Sequence, residues 1–251
     1  MYAGHAPIDR RQLLAIPIGL VLAGATRDEE VPFLPTPPAA VEAMLDLAAL
    51  TRDDLLIDLG AGDGRIAIAA GKRGARAIGV EIDAQLVLRA RRAAADAGVS
   101  ERVVFREGDL FRTPIRDASV VALYLLPAVN LRLRPRLLTE LRPGTRIVSH
   151  AFTMGDWRPD AHRLVEERHV YLWVVPAVAG GDWVVTLADG SRQRLSIEQR
   201  FQDITGTLDG LSLEAATLRG DALAFTAGGR RYAGRVREAA IDGEGWRAIR
   251  A

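Results

Sequence analysis

A short glycine-rich segment carries the clearest chemical signal in the sequence, and it reads Asp58-Leu59-Gly60-Ala61-Gly62-Asp63-Gly64. It follows an apolar run at residues 55–57 and precedes a helical pattern over residues 65–72. Glycine permits positive φ and lets a ligand approach the backbone closely. The first turn of a helix also offers free amide N–H groups. The segment therefore predicts a cradle of backbone donors for a polar ligand.

Three acidic residues narrow the choice of ligand. Asp58 and Glu81 each end a predicted strand, and Asp109 follows a third. A carboxylate in the position of Glu81 can accept hydrogen bonds from both hydroxyl groups of a ribose, so the spacing predicts a nucleoside pocket. A buried carboxylate without such a partner is costly, or is forced to protonate. The dinucleotide fingerprint G-x-G-x-x-G does not fit, because Arg65 stands where its third glycine belongs.

These side chains meet only if a regular scaffold gathers the strand ends. Short apolar runs alternate with helical patterns, and the predicted strands are residues 55–57, 77–80, 103–106, 120–125, 146–151 and 170–175. One predicted helix begins near Pro38, and three more cover residues 65–72, 84–97 and 129–141. This alternation predicts an α/β domain with a parallel sheet, helices on both faces and an antiparallel last strand. Ligands of such sheets bind at the carboxyl ends of the strands.

Composition excludes several kinds of site. The 251 residues are 49% hydrophobic and 26% charged, as in a globular protein with a real core. The chain has no cysteine, which excludes disulfides, thiolate metal sites and a cysteine nucleophile. Its four histidines have no metal-ligand spacing, so no metal is expected. The formal net charge is +1, and no nucleic-acid partner is expected.

The glycine segment, Glu81 and Asp109 together resemble the nucleoside-binding motifs of class I S-adenosylmethionine-dependent methyltransferases. The resemblance implies a Rossmann-like, doubly wound, mostly parallel seven-stranded sheet and S-adenosyl-L-methionine as cofactor. It also implies that the cofactor contacts come from the three motifs and their neighbours, namely Asp58, Gly60, Ala61, Gly62 and Gly64 at the methionine part, Glu81 at the ribose, Asp109 and Leu110 at the adenine, and Ile82 as a further contact.

Three further motifs resemble one subgroup of these enzymes. They are the proline-rich residues 32–37, the triplet Asp63-Gly64-Arg65 and the run Tyr124-Leu125-Leu126-Pro127. The subgroup contains the mitochondrial ATP synthase c-subunit lysine methyltransferase and its bacterial relatives, and the likeness spans roughly residues 31–176. It implies methylation of an amino group, with lysine favoured.

Substrate residues are expected where the fourth and fifth strands end. Many amino-group methyltransferases carry an Asn/Asp-Pro-Pro-aromatic tetrad there, but this chain lacks the amide or carboxylate. Tyr124 is the first candidate and Asn130 the second, although Tyr124 is as well explained as a buried structural residue. Two segments that follow the fifth strand, Ser149-His150 and residues 154–157, are candidates for lining the substrate mouth. Within them Asp156 is a candidate for orienting an amine and Trp157 for packing against it, with a purely structural loop as the alternative. Thr36 is expected to close over the cofactor, with a helix cap as the alternative.

The C-terminal part has a different pattern. Short β runs alternate with turn signals beyond a plausible hinge at residues 179–181, and they predict a meander of five or six strands. Its expected core residues are Leu195, Ile197, Phe201, Leu223 and Phe225. This β-rich part is a candidate for substrate recognition, for dimerisation or for covering a sheet edge. The oligomeric state stays open.

Residues 1–25 have the layout of a signal peptide. Arg10-Arg11 precede an apolar stretch at residues 13–22, and Ala23-Gly24-Ala25 form a small-x-small cleavage site. The stretch is shorter than the ~20 residues that span a bilayer, so no membrane span is expected after cleavage. The arginine pair resembles a twin-arginine signal. We expect a periplasmic or exported protein, and the alternatives are a buried helix or interfacial anchor and a cytoplasmic protein.

The predicted organisation is a leader over residues 1–25, a methyltransferase domain over 26–178 and a β-rich accessory domain over 179–251. The expected partner is a protein or small-molecule methyl acceptor. Two alternatives remain beside an enzyme acting on lysine. One is a methyltransferase with a small-molecule or lipid-like acceptor, and the other is a non-catalytic module that binds S-adenosylmethionine or S-adenosylhomocysteine.

Overall fold

The computed structural model describes residues 34–251, and within them the chain forms four helices and sixteen strands. The predicted signal peptide lies outside the described residues. The helices are α1 (Pro38–Leu47), α2 (Arg65–Lys72), α3 (Ala84–Asp96) and α4 (Pro127–Glu140). No helix in this part of the chain is long and apolar enough to cross a membrane.

The first sheet has seven strands within the described residues, in the order β3-β2-β1-β4-β5-β7-β6. Its strands are β1 (Leu55–Leu59), β2 (Arg76–Glu81), β3 (Val103–Glu107), β4 (Val120–Leu123), β5 (Arg146–His150), β6 (Ala161–Val165) and β7 (Arg168–Val174). The sheet is mixed, because β1 to β5 are parallel to one another and β7 runs antiparallel to β5 and β6. The sequence did not reveal β6, an edge strand whose side chains are exposed or only partly buried.

The strand order places a crevice beside β1. The chain moves outward from β1 to the edge strand β3 and then returns to the other side of β1 as β4. The connections that follow β1 and β4 therefore lead away from each other, as expected at a topological switch point. Side chains on β1, β4 and β5 alternate between two cores, so Asp58, Tyr124 and His150 share the face that α1 and α2 cover.

The second sheet has nine antiparallel strands within the described residues, in the order β11-β10-β9-β8-β16-β15-β14-β13-β12. They are β8 (Gly181–Leu187), β9 (Arg192–Arg200), β10 (Asp203–Leu208), β11 (Leu211–Ser212), β12 (Glu214–Arg219), β13 (Ala222–Ala227), β14 (Arg230–Val236), β15 (Ala240–Gly243) and β16 (Trp246–Arg250). The two ends approach each other at β10 and β12, which makes a near-barrel. The prediction of five or six strands was too low, because several turns carry no paired Asp-Gly or Gly-Gly signal.

Most of the expected core of the second sheet is buried there, but Phe201 is not part of it. Phe201 packs against the core of the first sheet and stacks on Trp157, with the ring centroids 5.8 Å apart. Trp157 itself is fully buried and donates from Nε1 to Oε1 of Gln202 at 2.9 Å. The turn between β9 and β10 therefore fastens the second sheet to the segment that follows β5. Trp157 is a core residue and does not line a substrate mouth.

A buried ion pair fixes the opposite, amino end of the first sheet. Asp54 accepts hydrogen bonds from Oγ of Ser119 at 2.6 Å and from the amide of Thr51 at 2.7 Å, and it pairs with Arg146. Arg146 also donates to the carbonyl of Ala48 at 2.7 Å. Burial raises the pKa of Asp54, but the hydrogen bonds and the Arg146 charge outweigh burial and leave this pKa below its ordinary value.

We predict that Arg146→Ala lowers the free energy of unfolding by about 2–3 kcal/mol, because it leaves the Asp54 carboxylate buried without its cation. Arg142→Ala is the matched control, since its ion pair with Asp117 is exposed and is worth less than about 0.5 kcal/mol. Because the pKa of Asp54 is lowered by folding, the loss persists above pH ~4 and disappears below it. Urea unfolding of both variants at several pH values measures this. Equal losses would contradict the prediction.

Candidate functional site

Backbone hydrogen bonds hold the glycine segment against the end of β2. The amides of Gly60 and Ala61 both donate to the carbonyl of Val80, at 2.9 Å each. The amide of Gly62 donates to Oε2 of Glu81 at 2.9 Å. The Glu81 carboxylate therefore faces the bend that follows β1.

Two positions in this bend accept only glycine. Gly60 has φ 79°, and a Cβ there would lie 2.8 Å from Cδ2 of Leu125. Gly64 has φ 82° and caps α2, and a Cβ there would lie 2.4 Å from Cζ of Phe105. Both the left-handed backbone and the lack of space exclude a larger residue. The bend is therefore packed closely against the protein. The amides of residues 60–62 and of Gly64 are bonded within the chain, so they are not the free donors that the sequence predicted.

Arg65, which replaces the third glycine of a dinucleotide loop, ties the bend to the segment before α1. Its Nε donates to Oδ1 of Asp63 at 2.9 Å, and its Nη1 donates to the carbonyl of Thr36 at 2.8 Å. Thr36 is buried, whereas the N-cap of α1 is Pro37 and makes no side-chain cap. The helix-cap alternative for Thr36 does not apply in this structure. Thr36 lies over the bend because Arg65 holds its carbonyl.

Asp58 is buried beneath the bend, and its Oδ2 has no hydrogen-bond partner among residues 34–251. Burial raises the pKa of Asp58 to about 7, and the charges of Glu81 and Asp63 add to this, while the amide of Ala67 opposes it. An ammonium group beside Asp58 would restore the charged carboxylate and satisfy the free oxygen. The site therefore suits a ligand that carries a cationic amine.

Asp109 and two apolar side chains border the same place. The amide of Gly108 donates to the carbonyl of Glu81 at 2.9 Å, which brings the end of β3 next to the end of β2. Oδ1 of Asp109 accepts an amide two residues further along the chain at 2.7 Å. Ile82 is 74% exposed and Leu110 is partly buried, so both can pack against a flat ring.

A second polar group lies at the ends of β4 and β5, and we name it the acceptor cluster: Tyr124, Asn130 and His150. The rings of Tyr124 and His150 are in contact, with their centroids 4.1 Å apart. Asn130 is fully buried at the start of α4, and its Nδ2 donates weakly to the carbonyl of Thr153 at 3.4 Å. His150 is also fully buried. The predicted candidates Tyr124 and Asn130 thus lie at the same strand ends as His150, which the sequence placed only as a lining residue of the substrate mouth.

Unpaired buried atoms are concentrated in these two places. Among residues 34–251, the buried side-chain atoms without a hydrogen-bond partner are Oδ2 of Asp58, Oδ1 of Asn130 and both ring nitrogens of His150. All of them lie at the carboxyl end of the first sheet. Buried polar atoms are nearly always paired, so such a concentration marks a site that a ligand completes.

Asp156 does not join this group in the structure. It is exposed, and its two carboxylate oxygens accept from Arg134 on α4 and from Arg200 on β9, the latter at 2.7 Å. The bonds from Arg200 and Arg134 lower the pKa of Asp156. Asp156 is therefore held by two arginines rather than by the acceptor cluster. Its place is in the connection between the two sheets.

The first group of residues fits S-adenosyl-L-methionine. Asp58 offers an unpaired carboxylate for the amino group, and the glycine bend offers close-packed backbone for the methionine part. Glu81 offers a carboxylate for the ribose hydroxyls, and Ile82 and Leu110 offer apolar faces for the adenine. In the described part of the chain, no three His, Asp or Glu side chains gather in a way that would hold a metal ion.

Residues 58–161 match the family model of the ANTKMT methyltransferase domain. A protein-lysine N-methyltransferase of Saccharolobus islandicus (strain REY15A) is 41% identical over 151 residues, which cover 58% of this chain and 94% of that relative. The chain belongs to this methyltransferase family. It is an S-adenosylmethionine-dependent methyltransferase, as the motifs predicted.

Two further relatives extend the comparison. The human ATP synthase c-subunit lysine N-methyltransferase is 33% identical over 136 residues, and the match covers 54% of this methyltransferase and 58% of the human protein. A crystal structure of an RNA methyltransferase from Salinibacter ruber, in complex with S-adenosyl-L-homocysteine, is 52% identical. It covers 57% of this methyltransferase and 94% of that chain, with a TM-score of 0.56. The predicted subgroup is thereby confirmed.

We predict that affinity for S-adenosyl-L-methionine falls about tenfold per pH unit below pH 7, because the raised pKa of Asp58 leaves this residue protonated there. Binding near pH 6.5 then releases a proton. Calorimetry in buffers of different ionisation enthalpy counts that proton. Asp58→Asn should bind weakly and without this pH dependence. A wild-type affinity that stays constant from pH 5.5 to 7.5 would contradict the role of Asp58.

We predict that Glu81→Ala weakens cofactor binding by roughly 10–100-fold, because it removes the acceptor for the ribose hydroxyls. Glu107→Ala is the matched control, since Glu107 occupies the same register position on the neighbouring strand and is exposed. The control should bind like the wild type. Isothermal calorimetry measures both variants, and equal affinities would refute the assignment.

Proposed function

We propose that this methyltransferase methylates the ε-amino group of a lysine in a protein. Two relatives support the proposal by name, the Saccharolobus protein-lysine N-methyltransferase and the human ATP synthase c-subunit lysine N-methyltransferase. In this chain, the acceptor cluster is the observation that supports lysine methylation most directly. Its members lie at the carboxyl ends of β4 and β5, and β4 pairs with β1, the strand that carries Asp58. None of them is a carboxylate.

The chemistry needs little from the protein beyond placement. S-adenosyl-L-methionine, when bound, supplies a sulfonium methyl group that a neutral amine can attack. The chain contributes orientation and exclusion of water, which together are worth up to ~7–11 kcal/mol. Asp58, Glu81 and the glycine bend hold one side of the site. The acceptor cluster and the apolar residue Leu125 form the other side.

Burial also helps to make the amine neutral. A low-dielectric environment disfavours the ammonium form and lowers the pKa of a bound amine. The acceptor cluster contains no carboxylate that would stabilise the ammonium form. Asp156, the carboxylate that the sequence proposed for this role, is paired with Arg134 and Arg200. The proton that the amine loses passes to water. The site thus favours the reactive form without a dedicated base.

RNA is the second candidate acceptor, because the Salinibacter relative is called an RNA methyltransferase. The charge of this chain argues against it. Nucleic-acid binding depends on lysine and arginine side chains that are free to neutralise phosphates, yet the formal net charge is only +1. Near the site, Arg65 pairs with Asp63, and Arg134 pairs with Asp156.

We predict that radiolabelled methyl groups from S-adenosyl-L-methionine enter the protein fraction of a cell extract and resist nuclease. Protease and acid hydrolysis should release them as methyl-lysine. At a cofactor concentration near the wild-type Kd, Glu81→Ala serves as the control with reduced labelling, and Glu107→Ala as the control that labels like the wild type. Label in RNA, in lipid or in small molecules would overturn the lysine assignment. Tight cofactor binding without label in any fraction would favour a non-catalytic binding module.

Export remains a further proposal, carried by the twin-arginine pattern in residues 1–25. The second sheet, over residues 181–250, is proposed as an accessory unit that supports the acceptor side of the site. Support comes from the contacts of Trp157 with Phe201 and Gln202. Mass spectrometry of the mature N-terminus tests the leader, because a protein that begins at Met1 in the cell envelope would exclude cleavage after Ala25.

A further inference from the structure

His150 ends β5 as a fully buried side chain whose two ring nitrogens have no hydrogen-bond partner in the described part of the chain. A buried ring with two unpaired nitrogens costs folding free energy that an apolar ring of similar shape would not cost. Packing therefore does not explain a histidine at this position. A ligand that donates a hydrogen bond to a ring nitrogen would explain it.

The backbone beside His150 is held in a strained bend. Ala151 has φ 67°, in the left-handed region that residues with a Cβ rarely adopt. The amide of Phe152 donates back to the carbonyl of His150 at 2.8 Å, and Oγ of Ser149 donates to the carbonyl of Phe152 at 2.8 Å. Such strain is typical of functional positions that the surrounding structure holds in place.

One aromatic ring contacts the histidine, and a second ring stacks on the first. Tyr124 lies against His150, with the ring centroids 4.1 Å apart, and stacks on Phe152 at 6.5 Å with an interplanar angle of 15°. Tyr124 is only half-buried, whereas His150 is fully buried, so of the two rings in contact Tyr124 is the one that reaches the surface. By the alternation of side chains along the strands, both belong to the face of the sheet that also carries Asp58.

The histidine is neutral over the physiological range. Burial, together with the charge of Arg168, lowers the pKa of His150 to about 4. One ring nitrogen therefore carries a lone pair and no proton. Such a nitrogen accepts a hydrogen bond from an amine but does not take a proton from an ammonium ion.

Resting on the proposed function, we propose that His150 accepts a hydrogen bond from the ε-amino group of the acceptor lysine, and that Tyr124 covers His150 until the lysine side chain enters. The hydrogen bond fixes the nitrogen of the amine beside the cofactor. The aliphatic stem of the lysine then packs against the rings of Tyr124 and Phe152.

The first test uses His150→Phe, which keeps a ring against Tyr124 and removes both nitrogens. The matched control is His162→Phe, an exposed histidine on β6. We expect His150→Phe to melt at or above the wild-type temperature and to bind the cofactor with a Kd within about twofold of wild type. We expect its kcat/KM for the labelled protein acceptor to fall about 30-fold or more. His150→Gln should recover part of this loss, and the control should lose nothing.

The second test is spectroscopic and does not depend on turnover. The chain has four histidines, so ring ¹⁵N resonances of the full-length protein can be assigned by substitution. With S-adenosyl-L-homocysteine present, n-butylamine is expected to shift the ring nitrogens of His150 and not those of His162. Butyltrimethylammonium, which has a similar stem and no N–H, should leave them unchanged.

The outcomes separate this inference from the proposed function. Wild-type kcat/KM in His150→Phe, a large loss of its thermal stability, or unmoved His150 resonances with n-butylamine would each overturn the role of His150. If wild type labels no protein lysine, the proposed function fails. The n-butylamine experiment still decides whether His150 receives an amine.

Discussion

The site depends on the hydrogen bonds that pin the bend after β1 to the end of β2. Gly60 and Ala61 share the carbonyl of Val80, and Gly62 binds Glu81. The amides of Ile82 and Asp83 hold one oxygen of Glu81, and the bond from Gly62 holds the other against the bend that covers Asp58. The parallel pairing of β1 with β2 sets the distance between these groups, so the sheet register determines the geometry of the cofactor side.

The cofactor side was predictable because its signals are local. Glycines at positions that require positive φ, followed by acids at strand ends, leave a readable pattern around Gly60, Gly64 and Glu81. The parallel strands were also predictable, since strands buried on both faces are continuous apolar runs. Strand β6 was missed because its residues face solvent at the sheet edge.

The acceptor side was less predictable because it depends on long-range packing. Tyr124 and Asn130 were found through their positions near a strand end, but nothing in the sequence shows that His150 lacks a partner. Phe201 has the alternation of a second-sheet core residue, yet it packs on Trp157 in the first sheet. Which of the two cores such a side chain joins depends on how the sheets pack, and the periodicity of the sequence does not show it.

Asp58, Glu81 and the glycine bend hold the key position, because they are assigned to bind S-adenosylmethionine beside the acceptor cluster. A crystal structure of the chain with S-adenosyl-L-homocysteine tests this assignment most directly. We expect the amino group of the ligand within hydrogen-bond distance of Asp58, about 3 Å, and both ribose hydroxyls equally close to Glu81. We also expect the sulfur on the side of Tyr124 and His150. A ligand bound elsewhere, or a ribose with no contact to Glu81, would contradict it.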